Sequence, residues 1–381
     1  MHLLRRVYIT SFIFSFNLAL TAYINSSFIS NYIDESRIGL IFSIAAFATF
    51  IGLQYLPHIL EVIGNRDLAL SLLFLAVFSL FMLIVAKNPM VVIGFFILYI
   101  ASNNLMVYSL DIFVEHFSKN SSTGRARGLY LMITNLAWML SPFVAGMIVS
   151  KHGFSALYSL VICIILFVFL FIRFALKKFK DSVYLKMSLW SGFSFIKNRP
   201  NIVRIIILNF FLQFFFSWMI VFTPIYLREV VGFGYETIGV IFMVMLSPFV
   251  LLQLPLGILA DRKWGEKEML TIGFIVMGLS TILFGIYSGV NPIIFAVILF
   301  FTRVGASTIE VMCETYFFKQ INDNEPEIIS LYRTTTPIAF IVAPLIGSFL
   351  ILRIPFGSLY SILGILVIIG TFFILRLKDT K

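Results

Sequence analysis

Two sets of polar residues sit inside otherwise apolar stretches of this 381-residue chain: Arg303, Ser307, Glu310 and Glu314, and Asn104, Tyr108, Asp111 and Glu115. Both are spaced +4, +3 and +4, so at 100° per residue each set occupies one face of a helix. Their side chains could do ionic and acid–base chemistry. A guanidinium can hold an anionic or strongly polar group. A carboxylate shielded from water can carry a proton, whereas one paired with arginine stays ionised. A charge at mid-bilayer costs about 2.5–3.5 kcal/mol on insertion scales, so neither stripe is expected to face lipid.

The elements that carry these stripes follow from composition. Hydrophobic residues make up 60% of the chain and charged residues 12%, about half the usual share for a soluble domain. The mean hydropathy is +1.01. A water-soluble protein with this balance could not cover its surface with polar groups, but a bilayer-embedded one has no need to. Crossing the hydrocarbon takes about 20 mostly apolar residues. Twelve runs meet that length: 8–32, 38–58, 67–86, 90–117, 127–150, 154–175, 201–228, 236–259, 269–288, 292–318, 331–352 and 355–376. They are continuous rather than alternating, which predicts helices and not barrel strands. The first run is too long for a signal-peptide core and lacks a small-residue cleavage site.

The net charge of +10 comes from Lys and Arg in short loops, with no basic stripe carrying interleaved aromatics, so no nucleic-acid partner is expected. With the N-terminus inside, 22 Lys and Arg fall on the inner side and five on the outer, leaving Arg303 within a helix. That bias predicts a multi-pass protein of the plasma membrane with both termini cytoplasmic. Cys163 and Cys313 lie in apolar runs and suggest no disulfide. His2, His58, His116 and His152 have no metal-ligand spacing, and there is no phosphate-binding Gly-rich loop. No nucleophile–base arrangement is suggested either, so neither an enzyme nor a cofactor is expected.

The longest non-spanning stretch, 176–200, mixes Lys with Tyr184, Leu185, Trp190, Phe193 and Phe195. It suits a helix lying on the inner surface, or a charged linker. It divides the chain into six-helix halves, 1–175 and 201–381. The halves repeat. Ile38-Gly39-Leu40-Ile41-Phe42 recurs as Ile238-Gly239-Val240-Ile241-Phe242, an offset of 200, with Glu61 meeting Asp261. The offset slips to 199 where Asp111 and Glu115 meet Glu310 and Glu314, so the two polar stripes are themselves repeat mates.

After the eighth run the chain reads Gly257-Ile258-Leu259-Ala260-Asp261-Arg262-Lys263-Trp264-Gly265-Glu266-Lys267. This resembles the loop signature of the major facilitator superfamily, Gly-x-x-x-Asp-Arg-x-Gly followed by basic residues, with one residue inserted before Gly265. The first-half counterpart, Pro57 to Arg66, is a worn copy in which Pro57, Glu61 and Val62 replace Gly, Asp and Arg. In helix 5, Ser141-Pro142-Phe143-Val144-Ala145-Gly146 is similar to a Gly-Pro-x-x-Gly-Gly motif common in exporters of that superfamily. The resemblance implies an all-α integral membrane fold of twelve helices, two six-helix bundles related by a pseudo-two-fold repeat, and secondary transport by alternating access.

It further implies a mid-membrane site lined by helices 1, 4, 7 and 10. Helices 1 and 7 carry Asn17, Thr21 and Asn25, and Asn209, Gln213 and Ser217, without a mid-depth acid. Arg303 stands about 12 residues into helix 10, roughly 18 Å deep, near the bilayer centre. We therefore expect Asn17, Asn104, Asn209, Gln213 and Arg303 to line a site for a neutral or anionic small solute. For Arg303 the alternative is a structural pairing with Glu310, two turns away on the same face. Asp261, Arg262, Glu310, Glu314 and Arg333 are expected to form an inner gate, with Glu61, Arg66, Asp111 and Glu115 as its worn twin. Protons, through Asp111 or Glu310, are the coupling ion considered. Export of a metabolite or drug by a monomer is expected. An uptake symporter and a non-transporting sensor or assembly protein that keeps the fold are the alternatives.

Overall fold

The computed structural model describes residues 2–117, 123–175, 196, 199–253, 255, 256, 259, 265–321 and 326–378, without the side chains of 2–8, 114–117, 123–133, 175, 326, 327 and 330. Among these residues all regular structure is helical, in 11 α-helices. In chain order they are α1 (His2–Ala22), α2 (Asn25–Ile29), α3 (Glu35–Val85), α4 (Pro89–Phe117), α5 (Thr123–Ala175), α6 (Pro200–Ile225), α7 (Tyr235–Leu251), α8 (Glu266–Ile286), α9 (Pro292–Gln320), α10 (Pro326–Ile351) and α11 (Ser358–Leu375). A π-helical turn, Tyr226–Val230, continues α6. The surface helix expected over 176–200 lies outside the described residues, apart from 196, 199 and 200.

At 51 and 53 residues, α3 and α5 are too long for one crossing. Each would measure about 75–80 Å against a hydrocarbon core of roughly 30 Å. Both are two crossings joined at a single glycine, Gly64 (φ 77, ψ 162) and Gly153 (φ 77, ψ 177). The sequence predicts short loops at these two places. The chain turns on one residue instead, because a positive φ with extended ψ is open to glycine and to almost nothing else. With α3 and α5 counted twice and the shorter apolar helices Ile9–Ala22 and Tyr235–Leu251 included, the eight long apolar helices become twelve crossings. Backbone groups inside lipid must be satisfied within the segment, which is why each run is helical.

The single-residue turn makes a prediction. Nothing lies within 4 Å of where a Cβ on Gly153 would sit, so any cost of Gly153→Ala is conformational. We expect a loss of about 1–3 kcal/mol, read as a lower melting temperature in detergent. Gly94→Ala is equally open but lies within α4, and should lose nothing.

The helices group into two compact units, Met1–Lys186 with Gly234–Gly239, and Met187–Phe233 with Val240–Lys381. In the first, α1 packs on α5 and α4, and α3 packs on α4 and α5. In the second, α6 packs on α10, α11 and α9, and α8 packs on α9 and α11. These are the same pairings once α10 and α11 are matched to the two crossings of α5. Each interior is filled by Leu, Ile and Phe, among them Leu73, Phe96 and Phe113 in the first and Phe215, Phe274 and Phe317 in the second. Phe74, Leu170, Phe301 and Ile369 stand at least half exposed or nearly so along the crossings. An apolar surface of that extent is what a bilayer solvates.

Candidate functional site

In the second unit Asn291 opens α9, its Oδ1 accepting from the Ile293 amide at 2.9 Å, with Pro292 in the first turn. Three turns on, Arg303 is only 1% exposed. Its guanidinium lies 5.0 Å from the ring centre of Phe215 and 5.4 Å from that of Phe216, both on α6. Desolvated contacts of this kind contribute about 2 kcal/mol. Ser307 is fully buried, and its Oγ donates to the Val304 carbonyl at 3.1 Å.

Glu310, one turn deeper, is half-buried and accepts from Gln253 Nε2 at 3.1 Å. It lies within electrostatic reach of Glu314 and Arg303. Glu314 and Arg333 are exposed. On α6, Asn209 is buried and donates from Nδ2 to Thr335 Oγ1 at 2.6 Å, while Gln213 is half-buried. Asp261 and Arg262 lie outside the described residues.

In the first unit a buried network joins α1 to α4. Asn17 donates from Nδ2 to Asn103 Oδ1 at 3.1 Å and accepts from the Tyr99 hydroxyl at 3.3 Å. That hydroxyl is also 3.1 Å from Thr21 Oγ1. Asn104 is exposed, on the same face as the half-buried Tyr108 and the exposed Asp111. The residue that hydrogen-bonds Asn17 is Asn103, the neighbour of Asn104. Consecutive residues stand 100° apart on a helix, and an Asn-Asn pair does not declare which member turns inward. Glu61 is exposed, and the side chain of Glu115 lies outside the described residues.

Arg66 serves a helix end. It donates from Nη2 to the Arg173 carbonyl at 3.0 Å, where α5 finishes, and from Nη1 to Asp67 at 3.3 Å. Its counterpart 201 residues on, Lys267, donates from Nζ to the carbonyls of Leu375 at 3.3 Å and Leu377 at 3.2 Å, where α11 finishes. A cation there offsets the negative end of the helix dipole and satisfies carbonyls that the helix leaves open. The residue before each cation is a buried cross-tie. Asn65 exchanges bonds with Ser109, Nδ2 to the carbonyl at 3.0 Å and Oδ1 from the hydroxyl at 2.8 Å. Glu266 forms an ion pair with Lys319. Gly64-Asn65-Arg66-Asp67 and Gly265-Glu266-Lys267-Glu268 are therefore a second repeat, visible in the sequence at an offset of 201.

The two cross-ties differ in charge, and that has a measurable result. Glu266 is 2% exposed at its side chain and Lys319 47%. Lys319→Ala takes the paired cation away from a buried carboxylate and should cost about 1–3 kcal/mol, less than breaking a fully buried pair would, because half of the lysine is already in water. The double variant Lys319→Ala/Glu266→Gln should melt higher than Lys319→Ala alone.

A sequence model described as Major Facilitator Superfamily matches residues 7–247 and 206–381. No curated protein matches the chain. Among solved structures, the nucleoside transporter NupG is similar in its D323A mutant form, with a TM-score of 0.78 at 12% identity over 98% of this chain and 99% of that one. A second NupG structure gives 0.73 at 12% identity, covering 99% of both chains. A POT family transporter in complex with 5-aminolevulinic acid gives 0.77 at 13% identity, over 98% of this chain and 95% of that one. At these identities the likeness speaks for the fold, and the sequence match runs through both halves: the chain belongs to the Major Facilitator Superfamily and is a membrane transporter, not an enzyme.

Proposed function

We propose that this transporter carries a neutral or anionic small solute by alternating access, with Arg303 as the anchor of the solute. The observation that carries this reading is a buried guanidinium at mid-helix on α9, held against the faces of Phe215 and Phe216. A charge at that depth is costly, and its default explanation is function. The two rings suit a solute with a flat or unsaturated portion beside its polar group. Asn209 and Gln213 on α6 and Asn17 and Asn104 in the first unit complete the proposed lining.

The inner gate of Asp261, Arg262, Glu310, Glu314 and Arg333, with Glu61, Arg66, Asp111 and Glu115 as its twin, is kept as a proposal that rests on the repeat. Glu310, bonded to Gln253 beside Glu314, and Asp111 are the carboxylates proposed for a coupling proton. The helix 5 motif supports export, and uptake by symport is the second reading. The Lys and Arg bias supports cytoplasmic termini and a plasma-membrane location. The solutes named for the similar structures, nucleosides and 5-aminolevulinic acid, set the starting panel.

The test is a thermal-shift screen of the purified protein at two pH values against nucleosides, zwitterionic amino acids, organic anions and organic cations. A ligand of the folded state raises the melting temperature by mass action. Stabilisation by neutral or anionic members is expected. Stabilisation by the cations alone would overturn the assigned class.

A further inference from the structure

We propose that the end of α11 where the chain leaves the membrane is a binding site for the phosphate headgroup of an anionic phospholipid. Four cations converge on one short stretch. Arg204 Nη1 donates to the Arg376 carbonyl at 2.6 Å and to Asn201 Oδ1 at 3.0 Å. Lys267 Nζ reaches the carbonyls of Leu375 and Leu377. Asn201 Oδ1 also accepts from the Lys378 amide at 3.4 Å, and Tyr316 donates its hydroxyl to the Lys378 carbonyl at 2.9 Å. Arg204, Lys267, Arg376 and Lys378 are thereby held around residues 375–378. Among the described residues the acids near them are Glu266, which is paired with Lys319, and Glu268, which is exposed next to Lys267; in the sequence Asp379 follows Lys378. Positive charge is in excess, and the side chains of Arg376 and Lys378 are exposed.

A second observation separates a lipid from a free anion. The Arg376 guanidinium lies 4.4 Å from the ring centre of Phe372, which is itself 50% exposed. Ile369 and Ile365, 54% and 55% exposed, continue the same face at +3 and +4 spacing. The face is an apolar strip about 16 Å long that ends in a cation. An acyl chain lies along the strip while its phosphate meets Arg376, Lys378 and Arg204. Basic clusters flanking a membrane helix recognise anionic headgroups in this way, and long cations rise along apolar surface to reach them. Arg353, 3.8 Å over Phe349 at the end of α10, repeats the aromatic contact with a lone cation. It serves as the internal control.

The experiment uses the full chain, purified and exchanged into micelles containing equimolar phosphatidylglycerol and phosphatidylcholine, with bound lipid counted by native mass spectrometry. Wild type should retain phosphatidylglycerol in preference to phosphatidylcholine. Arg376→Gln/Lys378→Gln, which leaves the Arg204 and Lys267 backbone contacts in place, should weaken retention roughly 30-fold at low salt. Lys378→Gln alone should weaken it about 5-fold. Arg353→Gln should change nothing, and Arg376→Lys should keep most of the binding. Equal retention by the double variant and wild type would overturn the proposal. So would an equal loss in Arg353→Gln, since the effect would then be one of bulk charge. Displacement of phosphatidylglycerol by millimolar inorganic phosphate would make the site one for a free anion and overturn the lipid assignment.

Discussion

Arg303→Gln is expected to raise the KM for the transported solute about 10- to 100-fold, the range set by losing one charged hydrogen bond of about 1.5–3 kcal/mol. The glutamine keeps a polar group of similar reach, so helix packing is disturbed little while the charge and the planar fork disappear. Arg303→Lys keeps the charge but not the fork and should fall between the two. The alternative role, a structural pairing with Glu310, predicts another pattern. A purely structural Arg303 would lower the melting temperature on mutation to Gln while KM held constant, and Glu310→Gln would produce the same loss. Steady-state transport and thermal melting of the three variants decide between the two roles.

Gly146→Leu should sharply reduce the yield of stable protein. A Cβ on Gly146 falls against the Tyr235 carbonyl oxygen and 3.2 Å from the Gly239 Cα. The approach is mutual, because a Cβ on Gly239 would lie 2.6 Å from the Pro142 carbonyl oxygen and 3.1 Å from the Phe143 Cα. Every atom met is backbone, so no side chain can rotate out of the way. Ser141 and Ala145 are fully buried beside it, and Phe154 packs its ring 5.5 Å from Tyr235. Small residues at such a seam permit the contact that holds two helices together in lipid. Overpacking costs about 1–3 kcal/mol for added methylenes, and a leucine against rigid backbone should sit at or above the top of that range. Gly94→Leu adds the same side chain where nothing lies within 4 Å, and should leave the melting temperature unchanged.

The crossings were legible because lipid imposes a length and a helical backbone on every segment, so composition alone marks Pro200–Ile225 or Ser358–Leu375. The turns at Gly64 and Gly153 were not. Whether a loop closes over several residues or on one depends on a φ value that residue type permits but does not dictate. The stripe of Arg303, Ser307, Glu310 and Glu314 was found from periodicity, and its members do lie along α9. Their partners were out of reach. Gln253 and Phe215 belong to other helices, and helix rotation is decided by packing. Asn104 follows from the spacing it shares with the Arg303 stripe, whereas the bond from Asn17 to Asn103 depends on how α1 and α4 are rotated against each other. Arg66 enters the proposed gate through the repeat; that it also caps the end of α5 rests on its contact with Arg173, 107 residues along the chain, which no local spacing declares. The repeat Gly64-Asn65-Arg66-Asp67 and Gly265-Glu266-Lys267-Glu268 was open to inspection, but the inserted residue shifted its register by one from the register of Ile38 and Ile238.

Solute counterflow in proteoliposomes tests the central claim most directly. Vesicles holding the wild-type chain and loaded with an unlabelled solute from the stabilising class are diluted into a trace of the labelled form. Saturable, transient accumulation of label is predicted for wild type, and its loss at the same trace concentration for Arg303→Gln. Accumulation by the variant equal to that of wild type would remove Arg303 from the transport path. No accumulation by wild type, with the solute still raising its melting temperature, would contradict the claim that this site carries its ligand across the membrane.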